Sequence, residues 1–226
     1  MTETEDLIMS ASQTELIEQL LKKLATIAYI KPGEFPNIDL YMDQVTTFMN
    51  SHLSDFKLNS DEKTLTKTMI NNYAKNNLLP PPVKKKYSKE HMIVLTFIYY
   101  FKNILSISEI QDMLTPLTDK FFSTEGNSGG LTMEYVYNEV YATVKSQVST
   151  VSQDTAAKIK AYSKHFEKVK DEEDREFLQT FSMICMLGFD VFLKKQIIQS
   201  LIDSIAPETA EAKKEAKKEA KQEKNE

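Results

Sequence analysis

Apolar residues recur every three to four positions through most of this chain, and prolines, glycines and polar runs cut that pattern into helices. From Thr14, the residues Leu16, Ile17, Leu20, Leu21, Leu24 and Ile27 predict an amphipathic helix that ends before Pro32 and Gly33. After a KPGEFPN turn, Ile38, Tyr41, Val45, Phe48, Met49 and Leu53 predict a second helix over 38–53, followed by a polar connector over 54–63. A third helix starts at a hydroxyl cap, Thr64 or Thr66, and turns Leu65, Met69, Ile70 and Tyr73 inward. Its other side is polar: Lys67, Thr68, Asn71, Asn72 and Lys75. Asn77 is placed to take the left-handed conformation that closes this helix, with Leu78 and Leu79 tucked beneath. Pro80, Pro81 and Pro82 then force an extended path, so Lys84, Lys85 and Lys86 are expected on a stiff arm.

Beyond the lysines, Ser88 caps a helix whose Met92, Leu95, Ile98, Tyr99 and Phe101 surround the axis, as expected of a helix buried on several sides. Ser106 and Glu109 form a capping box for a short helix through Leu114, which Pro116 is expected to end. The run over 123–130 holds three of the five glycines and is expected to be the hinge between two modules. Three further helices are expected, over 132–148, 153–170 and 174–205. In the last, Phe177, Phe181, Ile184, Gly188, Phe192 and Ile198 recur at near-heptad spacing, which suits a bundle or a dimer seam. The stretch 177–193 is the nearest to a membrane span, but Gln179 and Asp190 interrupt it, and it reads as a buried helix. The tail over 206–226 repeats EAKK, with no apolar residue larger than alanine beyond Pro207, and has nothing to bury.

Composition narrows this to an all-α chain: 41% hydrophobic residues allow a real core, while five glycines and seven prolines leave little turn material for an all-β fold. The single cysteine, Cys185, excludes an intramolecular disulfide, and His52, His91 and His165 lie too far apart for a usual metal motif. An acidic N-terminus lacks the form of an export signal, so the chain is expected in the cytoplasm and off the membrane. A net charge of −5 argues against indiscriminate polyanion binding. Between Lys57 and His91, however, eight lysines face three acids, a local excess of five positive charges. No Ser-His-Asp order, HExxH or phosphate loop is present, so neither an enzymatic role nor a cofactor is expected.

The order of these features carries a resemblance. A hydroxyl-capped helix ending in an aromatic (Thr66, Tyr73), a closing Asn77-Leu78-Leu79, prolines 80–82, basic Lys84 to Lys86 with Tyr87, and the Ser106 to Ile110 turn resemble the winged helix-turn-helix head of mercury-resistance (MerR) type regulators. They also resemble a bacterial family of unknown function related to that head. The wing is shorter than in that pattern and the 54–63 link is longer.

That resemblance implies a MerR-like head over 35–122, preceded by a tail and amphipathic helix over 1–34. A helical dimerisation or effector module then follows over 131–205. It implies that the helix over 66–76 enters the major groove of double-stranded DNA, with Thr66, Lys67, Thr68, Asn71, Asn72 and Lys75 on the duplex. Lys84, Lys85, Lys86 and Tyr87 would be the wing on the phosphates. The expectation is a sequence-specific, homodimeric transcriptional regulator in which Phe181, Ile184, Gly188 and Phe192 form a dimer or module interface, meeting another subunit or a crossing helix, with a possible effector of unidentified chemistry. The alternative is a non-enzymatic protein-interaction adaptor on the same scaffold.

Overall fold

A computed structural model of the protein describes residues 15, 17, 19–22, 29–53, 64–122, 131–162 and 164–206. Most of the N-terminal amphipathic helix, the 54–63 connector, the glycine-rich run and the charged tail beyond 206 lie outside the described residues. The chain is mostly helical. A 3-10 turn at Pro32–Glu34 leads to β1 (Leu40–Tyr41), α1 (Met42–Leu53), α2 (Lys67–Lys75) and β2 (Lys86–Tyr87). Four longer helices follow: α3 (Lys89–Phe101), α4 (Ile107–Phe121), α5 (Met133–Tyr162) and α6 (Glu172–Ile205).

The chain forms two compact units. The larger spans 29–141 and takes in the end of α6 from Lys195; the smaller holds the intervening parts of α5 and α6 with the N-terminal segment. Instead of breaking near residue 131, the larger unit continues through the first turns of α5. Met133 and Tyr137 are buried there, and the Tyr137 hydroxyl donates to the carbonyl of Ile30 at 2.6 Å.

The core of the larger unit is built on α3. Every side chain from His91 to Tyr99 is buried, as the all-round apolar pattern of that helix anticipates. Around it lie Val45, Met49 and Leu53 of α1, Ile70 and Tyr73 of α2, Ile110 and Leu114 of α4, and Ile202 of α6. The end of α6 is tied to α4 through the capping box of that helix: Glu109 accepts from the Ser106 amide at 2.6 Å and from Gln199 Nε2 at 2.5 Å. Those hydrogen bonds, Gln199 first, hold the Glu109 carboxyl down to about 2.

Three expected elements differ, each for a local reason. The helix expected over 38–53 begins only at Met42, because Leu40–Tyr41 pairs antiparallel with Lys86–Tyr87 (Leu40 opposite Tyr87, Tyr41 opposite Lys86). Strand alternation buries Leu40 and leaves Tyr41 exposed; Ile38, expected on the inner face, is 69% exposed. Pro116 sits inside α4, which runs on to Phe121: proline removes one backbone hydrogen bond, but Leu117 and Phe121 beyond it pack against the core. The helices expected over 132–148 and 153–170 are one 30-residue helix, α5. Its Ser149, Thr150 and Ser152 are only weak helix formers, and a long helix tolerates a short run of them.

The stretch over 177–193 is not the buried helix its composition suggested. Among the described residues of the smaller unit, Gln179 and Met183 are the buried ones, while Phe177, Phe181, Ile184, Phe189 and Val191 are exposed. By length and composition alone α6 could cross a membrane. Its inner side joins α5 through Lys158, which bonds Asp190 and also Asp154 at 2.8 Å, and Gln179 Nε2 donates to the carbonyl of His165 at 3.0 Å.

Because Ile70 has no exposed surface and Ile38 is mostly exposed, Ile70→Ala should lower the free energy of urea unfolding by about 2–5 kcal/mol and Ile38→Ala by less than about 0.5 kcal/mol. Equal losses at the two sites would mean that the α1–α2 core is assigned to the wrong faces.

Candidate nucleic-acid interface

Helix α2 is short and sharply bounded. The Thr66 hydroxyl accepts from the Met69 amide at 3.2 Å, which makes Thr66 the cap and leaves the neighbouring Thr64 buried. At the other end Asn77 takes φ 56°, the left-handed conformation expected of it. The Leu78 amide reaches the Tyr73 carbonyl at 2.9 Å and the Asn77 amide reaches that of Ala74 at 3.3 Å, the paired bonds of a Schellman closure. Leu78 and Leu79 are buried beneath it. With both ends fixed and Ile70 and Tyr73 facing the core, Lys67, Thr68, Asn71, Asn72 and Lys75 are all exposed, on one side of the helix by their spacing.

The lysines after the prolines are not on an extended arm. Val83 and Lys86 exchange backbone hydrogen bonds at 3.1 and 2.9 Å, and Lys84 and Lys85 between them have φ 49° and 65°. This is a two-residue hairpin turn of the kind that needs positive φ at both central positions and favours Asn-Gly. Proline stiffness carries the chain to Val83; pairing of Lys86–Tyr87 with β1 then folds it back. Lys84 and Lys85 stand exposed at the tip, and Lys86 lies over the Tyr41 ring, 5.2 Å from its centre. Tyr87, expected on the wing surface, is instead in the core: alternation along β2 turns it inward, edge-on to His91 at 5.4 Å.

Two residues that sequence reasoning passed over join the turn to α2. Lys86 rests on Tyr41, and two positions on, Asp43 in the first turn of α1 is ion-paired with Lys67 at the start of α2. Residues 41–43 therefore bring the hairpin and the polar helix to one edge of the unit. Asp43 is the acid within this basic edge, and at 77% side-chain exposure its pairing with Lys67 is a weak surface contact that a phosphate can replace.

His91 holds the root of the hairpin. Its Nδ1 accepts from the Ser88 amide at 2.9 Å, so the neutral ring carries its proton on Nε2, which faces the Pro81 carbonyl at 3.4 Å. Phe122 closes the other side, ring centres 4.7 Å apart. A histidine three residues after a serine cap is a signal the sequence did offer, as a variant of the capping box. Burial pushes the imidazole below its ordinary 6.5, since the charged ring would lose water and its acceptor role together.

Beside the hairpin root lies a cavity of about 460 Å³ lined in part by Asn37, Asp39, Lys86, Lys89, His91 and Glu134. Its charges are largely matched: Lys89 pairs with Glu134 at 2.6 Å and donates to Asn37 at 3.2 Å. Among the described residues no three His, Cys, Asp or Glu side chains are grouped to hold a metal ion. Glu172, Glu173 and Asp174 form the first turn of α6, where the helix dipole favours acids.

With this geometry in hand, the comparison with known families is direct: residues 30–141 match a domain of unknown function (DUF1836). The chain carries a DUF1836 domain. The matched residues cover the 29–141 part of the larger compact unit but for its first residue, including the hairpin, α2, α3 and the start of α5, and leave out the end of α6. No curated protein and no solved structure matches the chain.

Replacing the turn by its preferred residues, Lys84→Asn with Lys85→Gly, should stabilise the DUF1836 domain by about 1–2 kcal/mol, because left-handed conformation is unfavourable for lysine. An unchanged or lower urea midpoint would count against two strained lysines. For His91, the unfolded chain gains a proton below about pH 6.5 while the folded chain does not, so its contribution is full above that pH and declines as pH falls toward the lower folded-state value. Wild type should therefore lose more melting temperature between pH 7.5 and 5.5 (roughly one unit either side of the ordinary value) than His91→Gln; parallel curves would remove His91 as the cause.

Proposed function

We propose that the DUF1836 domain of this chain is a MerR-like winged helix-turn-helix head and that the protein is a cytoplasmic, non-enzymatic, sequence-specific regulator of transcription. In this reading α2, with its cap and closing residue, lies in the major groove. Asn71 and Asn72 present a donor and an acceptor to adenine, while Lys67, Thr68 and Lys75 meet phosphates or base edges. Lys84, Lys85 and Lys86 are the wing and grip the backbone, supplying affinity without sequence information. Thr66 serves the interface by fixing where α2 begins. One exposed helix reads only a few base pairs, so tight binding calls for two heads on paired half-sites.

The observation that carries this reading is the pair of lysines at the hairpin tip. Stability alone would place asparagine and glycine there. Two lysines held in a conformation unfavourable to them, exposed, and tied through residues 41–43 to a polar helix face are better explained by a polyanion than by folding. A protein partner is the second reading, favoured by the exposed Ile38, Tyr41 and Val83, an apolar rim that DNA has no use for.

Genomic fragments retained by the protein, followed by salt titration, separate the two. Lys84→Ala, Lys85→Ala and Lys86→Ala together should weaken binding about equally on all sequences and flatten the log-log salt slope by about 0.9 for each phosphate left without its lysine. Asn71→Ala should cost about 1–3 kcal/mol on the selected site and much less on random DNA. No fragment enrichment, or an unchanged salt slope in the triple variant, would sink the DNA reading; binding that depends on Ile38 and Val83 would favour the protein partner.

A further inference from the structure

The apolar face of α6 in the smaller unit has a regular order that the described residues of that unit leave uncovered. Phe177, Ile184, Val191, Ile198 and Ile205 are spaced by seven, and so are Phe181, Gly188, Lys195 and Ile202, which together make a heptad seam along one side of the helix. At its C-terminal end the seam is a burial surface: Ile202 lies in the core of the DUF1836 domain and Ile198 packs against it. Upstream it is open, with exposures of 65% at Phe177, 54% at Phe181, 62% at Ile184, 61% at Val191 and 53% at Phe192. Gln179, Met183 and Asp190, which face the rest of the smaller unit, lie on a different side of α6, roughly 100–200° from the seam residues at about 100° per residue.

From this seam we infer that α6 pairs with α6 of a second copy of the chain, antiparallel, about a two-fold axis between Ile184 and Cys185. Three observations select this occupant and this direction. Among the described residues nothing calls for Gly188, since a Cβ there would meet nothing within 4 Å, yet glycine costs a helix interior about 1 kcal/mol. The antiparallel register sets Phe181 of each copy over Gly188 of the other, so the ring fills the space the missing side chain leaves, and Phe177 meets Phe192. Parallel pairing would set glycine on glycine and Lys195 on Lys195.

The same register sets Lys195 of one copy across from Asp174 of the other, an opposite-charge pair at each end of the seam, while Lys194 falls across from Arg175. At these exposures the five apolar side chains amount to on the order of 500 Å² per copy, so a pair that buried them fully comes to roughly the 1,000 Å² floor of a specific interface, to which the flanking polar contacts add. A bilayer-spanning α6 is disfavoured, because Asp190 and Gln179 lie within the apolar stretch, bound to Lys158 and to the His165 carbonyl. The inference does not rest on the DNA reading.

Sedimentation velocity of the full chain without DNA tests it. Wild type should be a dimer at micromolar concentration. Gly188→Phe should raise the dimer Kd by roughly tenfold or more, by obstructing the partner's Phe181, with no loss of melting temperature in the monomer since the position is open. Phe181→Gly combined with Gly188→Phe exchanges knob and hole between the copies and should restore the dimer; if that swap melts early, Phe181→Ala with Gly188→Leu makes the same reciprocal test. A wild-type monomer at tens of micromolar overturns the inference, whether the monomer floats with anionic phospholipid vesicles or binds another protein. An undiminished Gly188→Phe dimer, or a folded swap that fails to recover, overturns it equally.

Discussion

Everything in the DUF1836 domain depends on burying α3 on all sides. A helix that hides every residue from His91 to Tyr99 must be enclosed completely, so α1, α2, α4, the start of α5 and the end of α6 are each needed to cover part of its circumference. The two polar residues taken inside are satisfied locally: Thr96 returns its hydroxyl to the Met92 carbonyl at 2.8 Å, and His91 uses both ring nitrogens on backbone groups at the helix entrance. Enclosure also explains why the ends of the long helices are split between units. Met133 and Tyr137 at one end of α5, and Ile202 at one end of α6, are walls of this core, while the remainder of each helix has a different environment.

Seen from α3, the basic edge is a by-product of how its entrance is closed. His91 holds the proline run through Pro81, Tyr87 packs on His91, and β2 pairs with β1; the chain between Val83 and Lys86 then has no path but a two-residue turn. The turn is forced by its surroundings, and its tip residues are held left-handed at their own cost. The rigid base is what lets two flexible side chains stand at a fixed place beside α2. Preorganisation of this sort lowers the ordering cost of binding more than it adds contacts.

Much of this was legible along the chain because it is decided within a few residues. A hydroxyl cap at Thr64 or Thr66, the left-handed Asn77 with its buried Leu78 and Leu79, the Ser106–Glu109 box and the all-round burial of α3 follow from side-chain chemistry and period, while the choice of Thr66 came from the fold. The exposed face of α2 was legible too, since fixing Ile70 and Tyr73 inward fixes Asn71 and Lys75 outward. Pro116 and the serines of α5 misled because local preference was overridden by packing beyond them.

By itself, then, the sequence determined which stretches are mainly helical, the closing residues of α2 and α4 that lie within one turn, and the inward faces of α2 and α3, because each is set by near neighbours. It also determined that Lys84 to Lys86 would follow a stiff proline segment. Only the tertiary structure decided that those lysines sit on a strained hairpin, that Tyr87 is core, and that Tyr41 and Asp43 link the hairpin to α2. Each of these is a pairing between residues some 25 to 50 positions apart, and no local preference encodes which distant partner closes the distance. The seam of α6 was visible as a repeat, but a repeat gives no sign of where its own chain stops covering it. Burial of Ile202 and exposure of Ile184 on one stripe of one helix is a fact of three dimensions alone.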